Sequence, residues 1–224
     1  LTKLLVLLNQ QDKIDAAFEE KILPSVQWLQ QKAKKDDEWK KFYRDLTSEV
    51  LARRYHTQKD FYKEALAIGT ADWITKPDDT DGWWYRFGID YLHDKMQSTD
   101  VEKLYSLMSS GKPNTFEKYL MTNNSVTKNH VIDFAGTAYL REYDYKKAID
   151  WFKKAGAAEE LTIHTNPFID ITYDLVEPLA EEEKFSITKT AFAEEMQLLQ
   201  QSAEKDKANA AKHYYKMALG YYNM

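Results

Sequence analysis

The stretch Ile132–Ala155, IDFAGTAYLREYDYKKAIDWFKKA, decides the fold. Ile132, Ala135, Gly136 and Tyr139 follow one another at helical spacing and share one face. Ala148, Phe152 and Ala155 do the same on a second helix. Gly136 and Ala148 are small where two antiparallel helices have to approach closely, and the rings of Tyr139 and Phe152 fill the space beside them. Asp144 stands just before the second helix, where its carboxylate can take an orphan backbone N–H as N-cap. The segment reads as a tightly packed helical hairpin.

Outward from this hairpin the same three-and-four spacing recurs almost everywhere, so the chain is expected to be all-α. The predicted helices are 1–9, 12–22, 25–35, 37–55, 60–74, 83–97, 100–110, 115–122, 128–142, 145–155, 187–204 and 207–222. Seven Gly and five Pro are about 5% of the 224 residues, against roughly 12% on average, which means few turns and long elements. Pro24, the loop from Lys76 to Gly82, and the turn from Gly111 to Asn114 supply the cuts. Thr99 and Glu102 have capping-box spacing. The region 157–185, with Leu161-Thr-Ile-His-Thr and Asn166-Pro167, breaks the pattern and is expected to be an irregular, ordered connection, the alternative being a poorly conforming pair of helices with a kink at Pro178.

The intervals Gly136 to Tyr139, Gly136 to Ala148, Ala148 to Phe152 and Phe152 to Ala155 resemble those of a tetratricopeptide repeat, and Tyr145 falls on a preferred aromatic position. Glu160 stands where that family has Pro. A weaker copy carries Trp84, Phe87, Gly88 and Tyr91, with Leu104 and Met108 on its partner helix about one turn late. Ala211, Tyr215 and Ala218 sit at second-helix spacing, and Asp12 to Phe18 is similar to another second helix. Repeat-like units are therefore expected near 83–111, 128–157 and 187–222, with no resemblance over 25–75. The resemblance implies a right-handed α-α superhelix of antiparallel hairpins as a single domain over 1–224, read as a fragment of a longer chain. The chain also resembles uncharacterised, envelope-associated bacterial proteins built from irregular repeats. That points to the cell envelope or periplasm, with the cytoplasm as the alternative.

Composition removes several functions. With no Cys there are no disulfides, thiolate metal sites or cysteine nucleophiles. A formal net charge of −5 argues against a nucleic-acid partner. The longest apolar run, Leu4 to Leu8, is far shorter than a membrane helix. Phosphate-loop, dinucleotide, zinc-protease and nucleophile-elbow motifs do not occur. The five His are not at ligand spacing, and no metal or cofactor is expected. Asp78-Asp79-Thr80-Asp81-Gly82 does not fit a calcium loop, because the register puts Pro77 first and Gly88 twelfth. Asp81 reads instead as a helix cap. Trp83, Trp84 and Tyr85 are consecutive, so they point about 100° apart and cannot all face one core.

The tetratricopeptide resemblance implies a ligand surface on the first helices, opposite the stripe that meets the second. In this chain that is His130, Asp133, Thr137, Leu140 and Arg141 in the clear repeat, and Tyr85, Ile89, Leu92 and His93 in the weaker one. Tyr85, His93, His130, Asp133, Thr137 and Arg141 are the expected partner-binding residues, and exchanging Asp133 or Arg141 is expected to spare the fold. The family's carboxylate clamp uses Lys and Asn, where Asp133 and Thr137 stand here, which disfavours a chaperone-tail adaptor. The expected function is a non-enzymatic protein- or peptide-binding scaffold. The alternative is a glycan-binding or carbohydrate-active all-α protein, with Trp83, Trp84 and Tyr85 beside Asp78, Asp79 and Asp81.

Overall fold

A computed structural model describes residues 1–75, 87–109, 111–155, 161–164, 166–169 and 186–223. The described residues are almost entirely helical, as the spacing predicts. The chain divides into two compact units, Leu1–Val131 and Ile132–Met224, where the sequence reading has one domain. The boundary falls inside a helix.

The first unit contains α1 (Thr2–Gln10), α2 (Ala16–Ala33), α3 (Asp37–Asp45), α4 (Ala52–Thr57), α5 (Phe61–Ile74), α6 (Gly88–Lys95), α7 (Ser98–Ser109) and α8 (Thr115–Thr122), and the start of α9 (Lys128–Arg141). Helix α5 is its centre: Ala65 to Ala71 are all buried, and α3, α4, α6, α7 and α8 pack around them. A helix apolar all round belongs inside. Pro24 does not end α2 as expected. It lies with Glu20 on the exposed face, where water can take the carbonyl that loses its donor, while Ile22, Leu23, Val26 and Leu29 hold the helix to the core. Helices α3 and α4 are joined by a π-helical segment, Leu46–Leu51. Thr47 Oγ1 donates to the Tyr43 carbonyl at 3.0 Å and Ser48 Oγ to that of Arg44 at 2.9 Å, and this competition with the backbone ladder explains the widened turn.

Glycines set the crossing of α5 and α6. A Cβ on Gly88 would stand 2.9 Å from Gly69 Cα, and one on Gly69 would stand 2.1 Å from Asn124 Oδ1. Gly88 was expected to face a partner helix at Leu104 and Met108, but it meets the preceding helix α5 instead. Asp72 Oδ2 accepts from Gly88 N at 2.6 Å and from Ser125 Oγ at 3.1 Å, fixing both segments to α5. The capping box falls at Asn114 and Glu117 rather than at Thr99 and Glu102, because α7 has already begun at Ser98.

The second unit holds the rest of α9, then α10 (Tyr145–Phe152), α11 (Lys189–Lys205) and α12 (Ala210–Asn223). The decisive stretch is a hairpin. Asp144 caps α10 through Lys147 N at 3.1 Å, Ile132, Ala135, Gly136, Tyr139, Ala148 and Phe152 are buried, and a Cβ on Gly136 would stand 2.2 Å from Phe152 Cε1. Tyr143 closes the turn at φ 60°, with Asp144 N donating to the Tyr139 carbonyl at 2.9 Å. The first unit repeats that turn between α4 and α5: Lys59 sits at φ 62°, and Asp60 N donates to the Tyr55 carbonyl at 2.9 Å. Aligning the sequence on the two turn residues, Lys59 with Tyr143, sets Ala52, Tyr55, Ile68 and Ala71 against Gly136, Tyr139, Phe152 and Ala155. This hairpin lies in 25–75, where the sequence reading finds no resemblance.

Within the expected irregular connection, Thr162–Ile163 forms a short antiparallel ladder with Ile187–Thr188, which the spacing assigns to the start of a helix, and Phe168 stacks on Phe192 of α11 at 5.4 Å. Asn223 Nδ2 holds the carbonyls of Pro167 and Ile169 at 3.2 and 3.1 Å. Residues 157–160, 165 and 170–185 lie outside the described residues, as do the 76–82 loop and Trp83, Trp84 and Tyr85.

Candidate functional site

The stripe opposite the Gly136 face is not open. Asp133 and Thr137 are 8% and 5% exposed, and Leu140 is fully buried. Lys189, at the start of α11, places Nζ 2.6 Å from Asp133 Oδ1. Thr137 Oγ1 lies 3.5 Å from the same oxygen. Tyr221 of α12 donates to the Leu140 carbonyl at 2.6 Å. The chain's own last two helices thus cover the face on which the repeat pattern expects a ligand, and Asp133 and Thr137 are corrected from surface to interior residues. Period 3.6 identifies which residues share a face, but a Lys arriving 56 residues later leaves no trace in it.

Of the remaining nominated residues, His93 and His130 belong to the first unit and Arg141 to the second. Thr127 Oγ1 accepts from the backbone N–H of His130 at 3.2 Å and His130 Nδ1 accepts from Thr127 N at 3.2 Å, so Thr127 caps α9 and His130 is its reciprocal partner. His93 is exposed beside Asp94 at 2.7 Å, Arg141 is exposed at the end of α9, and Tyr85 lies outside the described residues.

The first unit contains a polar centre that the sequence reading missed. Glu19 of α2 is fully buried. Its Oε1 accepts from Tyr55 OH and Lys63 Nζ, both at 2.8 Å, and its Oε2 from Asn114 Nδ2 at 2.8 Å. Lys63 reaches Glu117 Oε1 at 3.5 Å, and Tyr62 OH donates to that oxygen at 3.2 Å. Glu117 Oε2 takes Asn114 N at 2.8 Å, completing the capping box. One Lys between two Glu, with every oxygen hydrogen-bonded, satisfies the demand that a buried charge be both paired and solvated by donors. Burial alone would depress Lys63, but the hydrogen bond and charge of Glu19, then Glu117 and Asp60, hold it above its ordinary value. Burial, with Glu19 behind it, pushes the Tyr55 phenol well up. Burial also raises the half-buried Asp60, against the pull of Lys63. A nearby pair is built alike: buried Glu64 accepts from Tyr91 OH at 2.6 Å and lies 2.8 Å from His56 Nδ1. The missed signal is the polar stripe of α5, since Asp60, Lys63 and Glu64 sit one turn apart on a helix that is otherwise apolar.

This cluster stands behind an open groove of about 640 Å³ lined by Tyr62 of α5, Thr99, Glu102, Lys103, Ser106 and Leu107 of α7, and Gly111. Helix α7 is two-faced. Ser98, Val101 and Leu104 are buried, while 99, 102, 103, 106 and 107 form the other stripe and face the groove. Lys103 is tied to Asp100 at 3.1 Å. Tyr62 is the wall that joins groove to cluster, its ring held by the bond to Glu117. Burial, with Asp60 and Glu117 beside it, drives its phenol up as well.

Among the described residues no three His, Asp or Glu are grouped to hold a metal ion, and no helix is long and apolar enough to cross a membrane. Comparison with known protein families, with curated proteins and with solved structures returns no match.

Proposed function

We propose that the chain is a non-enzymatic helical scaffold that binds an extended segment of protein or peptide, its hairpins stacked within each unit in the right-handed tetratricopeptide manner. The observation that carries this reading is the α7 stripe: five side chains of one helix face a groove of about 640 Å³, opposite a tyrosine whose position is fixed from behind. A volume of this size suits a short stretch of chain. The hydroxyls of Thr99 and Ser106 can satisfy backbone groups of such a segment, Tyr62 and Leu107 offer apolar contact, and Glu102 and Lys103 favour neighbouring charges of mixed sign. The buried Glu19 cluster acts here as reinforcement rather than as reaction chemistry, because its carboxylate oxygens are already filled by the protein's own donors.

Panning a random peptide library against the purified chain tests this. Enriched peptides should lose at least tenfold in affinity with Leu107→Asp or Tyr62→Ala and keep it with His93→Ala. Equal affinity for all variants would place binding elsewhere, and selective capture of oligosaccharides on a glycan array, with no peptide enriched, would favour the carbohydrate alternative.

A further inference from the structure

Helix α12 turns one side to α11. A Cβ on Gly220 would stand 2.8 Å from Phe168 Cε1 and 3.2 Å from Phe192 Cε2, and Lys216 is paired with Glu195 at 2.7 Å. At 100° per residue, Ala211, Tyr215, Ala218 and Tyr222 fall within about 60° of one another on the side away from Gly220. Tyr215 and Tyr222 are 57% and 69% exposed, flanked by Tyr214 at 50%, and both alanines are exposed. The stripe expected to pack as a second helix therefore faces outward, because Met217, Leu219 and Gly220 are the buried residues of the helix and Gly220 is the one that meets Phe192 and Met196 of α11.

We propose that this face is a two-fold interface with a second copy of the chain. The alanines are seven residues apart and so are the two tyrosines, the spacing that keeps a seam facing a partner helix. In an antiparallel pair whose axis passes midway between Lys216 and Met217, Tyr215 and Ala218 are equidistant from the axis, as are Ala211 and Tyr222. Each ring then sits opposite the small side chain of the other copy, at 215 against 218 and at 222 against 211. This is the self-complementarity that an isologous contact requires. The stripe carries no charge, and the Lys216 beside the axis is already neutralised by Glu195, so the symmetry brings no unpaired like charges together. Three half- to two-thirds-exposed tyrosines, at about 150–250 Å² each when whole, offer on the order of 300 Å² per chain. With the alanines and the Lys212 stem the two copies bury about 1,000 Å² in total, the lower end for a specific contact, so the dimer is weak and concentration-dependent.

The sequence has no Cys, which makes disulfide trapping clean. An equimolar mixture of Tyr215→Cys and Ala218→Cys chains should cross-link several-fold faster than either alone, and faster than Ala211→Cys mixed with Ala218→Cys. In sedimentation velocity the parent should shift toward dimer between about 10 and 500 μM, while Ala218→Glu, with an unchanged melt, stays monomeric. A parent monomeric throughout would overturn the proposal and leave the face to some other occupant. A dimer indifferent to Ala218→Glu, or trapped as readily in the displaced pairing, would overturn it equally.

Discussion

Glu19→Gln exchanges one oxygen for an amide nitrogen at the centre of the buried cluster, at almost constant volume. In the parent, one carboxylate with no solvent exposure serves Tyr55, Lys63 and Asn114, each at 2.8 Å. The amide keeps one acceptor but points two N–H donors at groups that are themselves donors. Lys63, whose side chain is 9% exposed, is left with Glu117 at 3.5 Å. Removing one partner of a buried pair costs about 3–5 kcal/mol, and charge-assisted hydrogen bonds of about 1.5–3 kcal/mol each bring the same range from the other side. A loss of about 3–4 kcal/mol should lower the melting temperature by about 10 °C for a unit of this size. Lys63→Met should cost a similar amount, because it leaves Glu19 and Glu117 without the cation between them. The double variant should cost clearly less than the two singles together, with a coupling of about 2 kcal/mol in urea unfolding followed by circular dichroism. Additivity within about 0.5 kcal/mol would mean that the two groups do not form one unit, and the account of the cluster would fail.

Gly136→Ala should cost about 1–3 kcal/mol by overpacking against Phe152, and Phe152→Leu in the same chain should recover part of it, as read by thermal melts. Asp133→Ala should destabilise by about 1–3 kcal/mol, since it removes the partner of the part-buried Lys189, whereas Asp133→Ala with Lys189→Met should cost less. A melt of Asp133→Ala matching the parent would return this residue to the surface. Asp60 is raised above its ordinary 3.8 by burial, so its stabilising, protonated form is fully present below about that pH and is lost as pH rises through the folded value. Asp60→Asn should therefore raise the urea midpoint at about pH 7 and leave it unchanged at about pH 3.5. A larger gain at the acidic end would reverse the sign of the burial effect.

The helices were legible because apolar spacing records burial directly. Gly136 was legible for the same reason, since a missing side chain between Tyr139 and Phe152 has few uses other than close approach. The covering of Asp133 and Thr137 was not legible, because it depends on where α11 and α12 return, and no local pattern in 130–141 carries that. The Ala52–Ala71 hairpin escaped notice because Glu64 replaces the small residue that marks the second helix, a substitution tolerated by the hydrogen bond from Tyr91. In α12 the alanine spacing pointed to the wrong side. Gly220 and Met217 hold the inward face, and a stripe of Ala and Tyr fits an interior and a contact surface equally well.

Isothermal titration of the best selected peptide into the parent and into Leu107→Asp tests the proposed function most directly. Leu107 is half-buried in the groove wall, so the charge should leave the fold intact while placing a carboxylate on the bound segment. The groove account predicts saturable one-to-one binding by the parent and at least a tenfold loss in the variant. Unchanged affinity in a variant with an unchanged melt would contradict it.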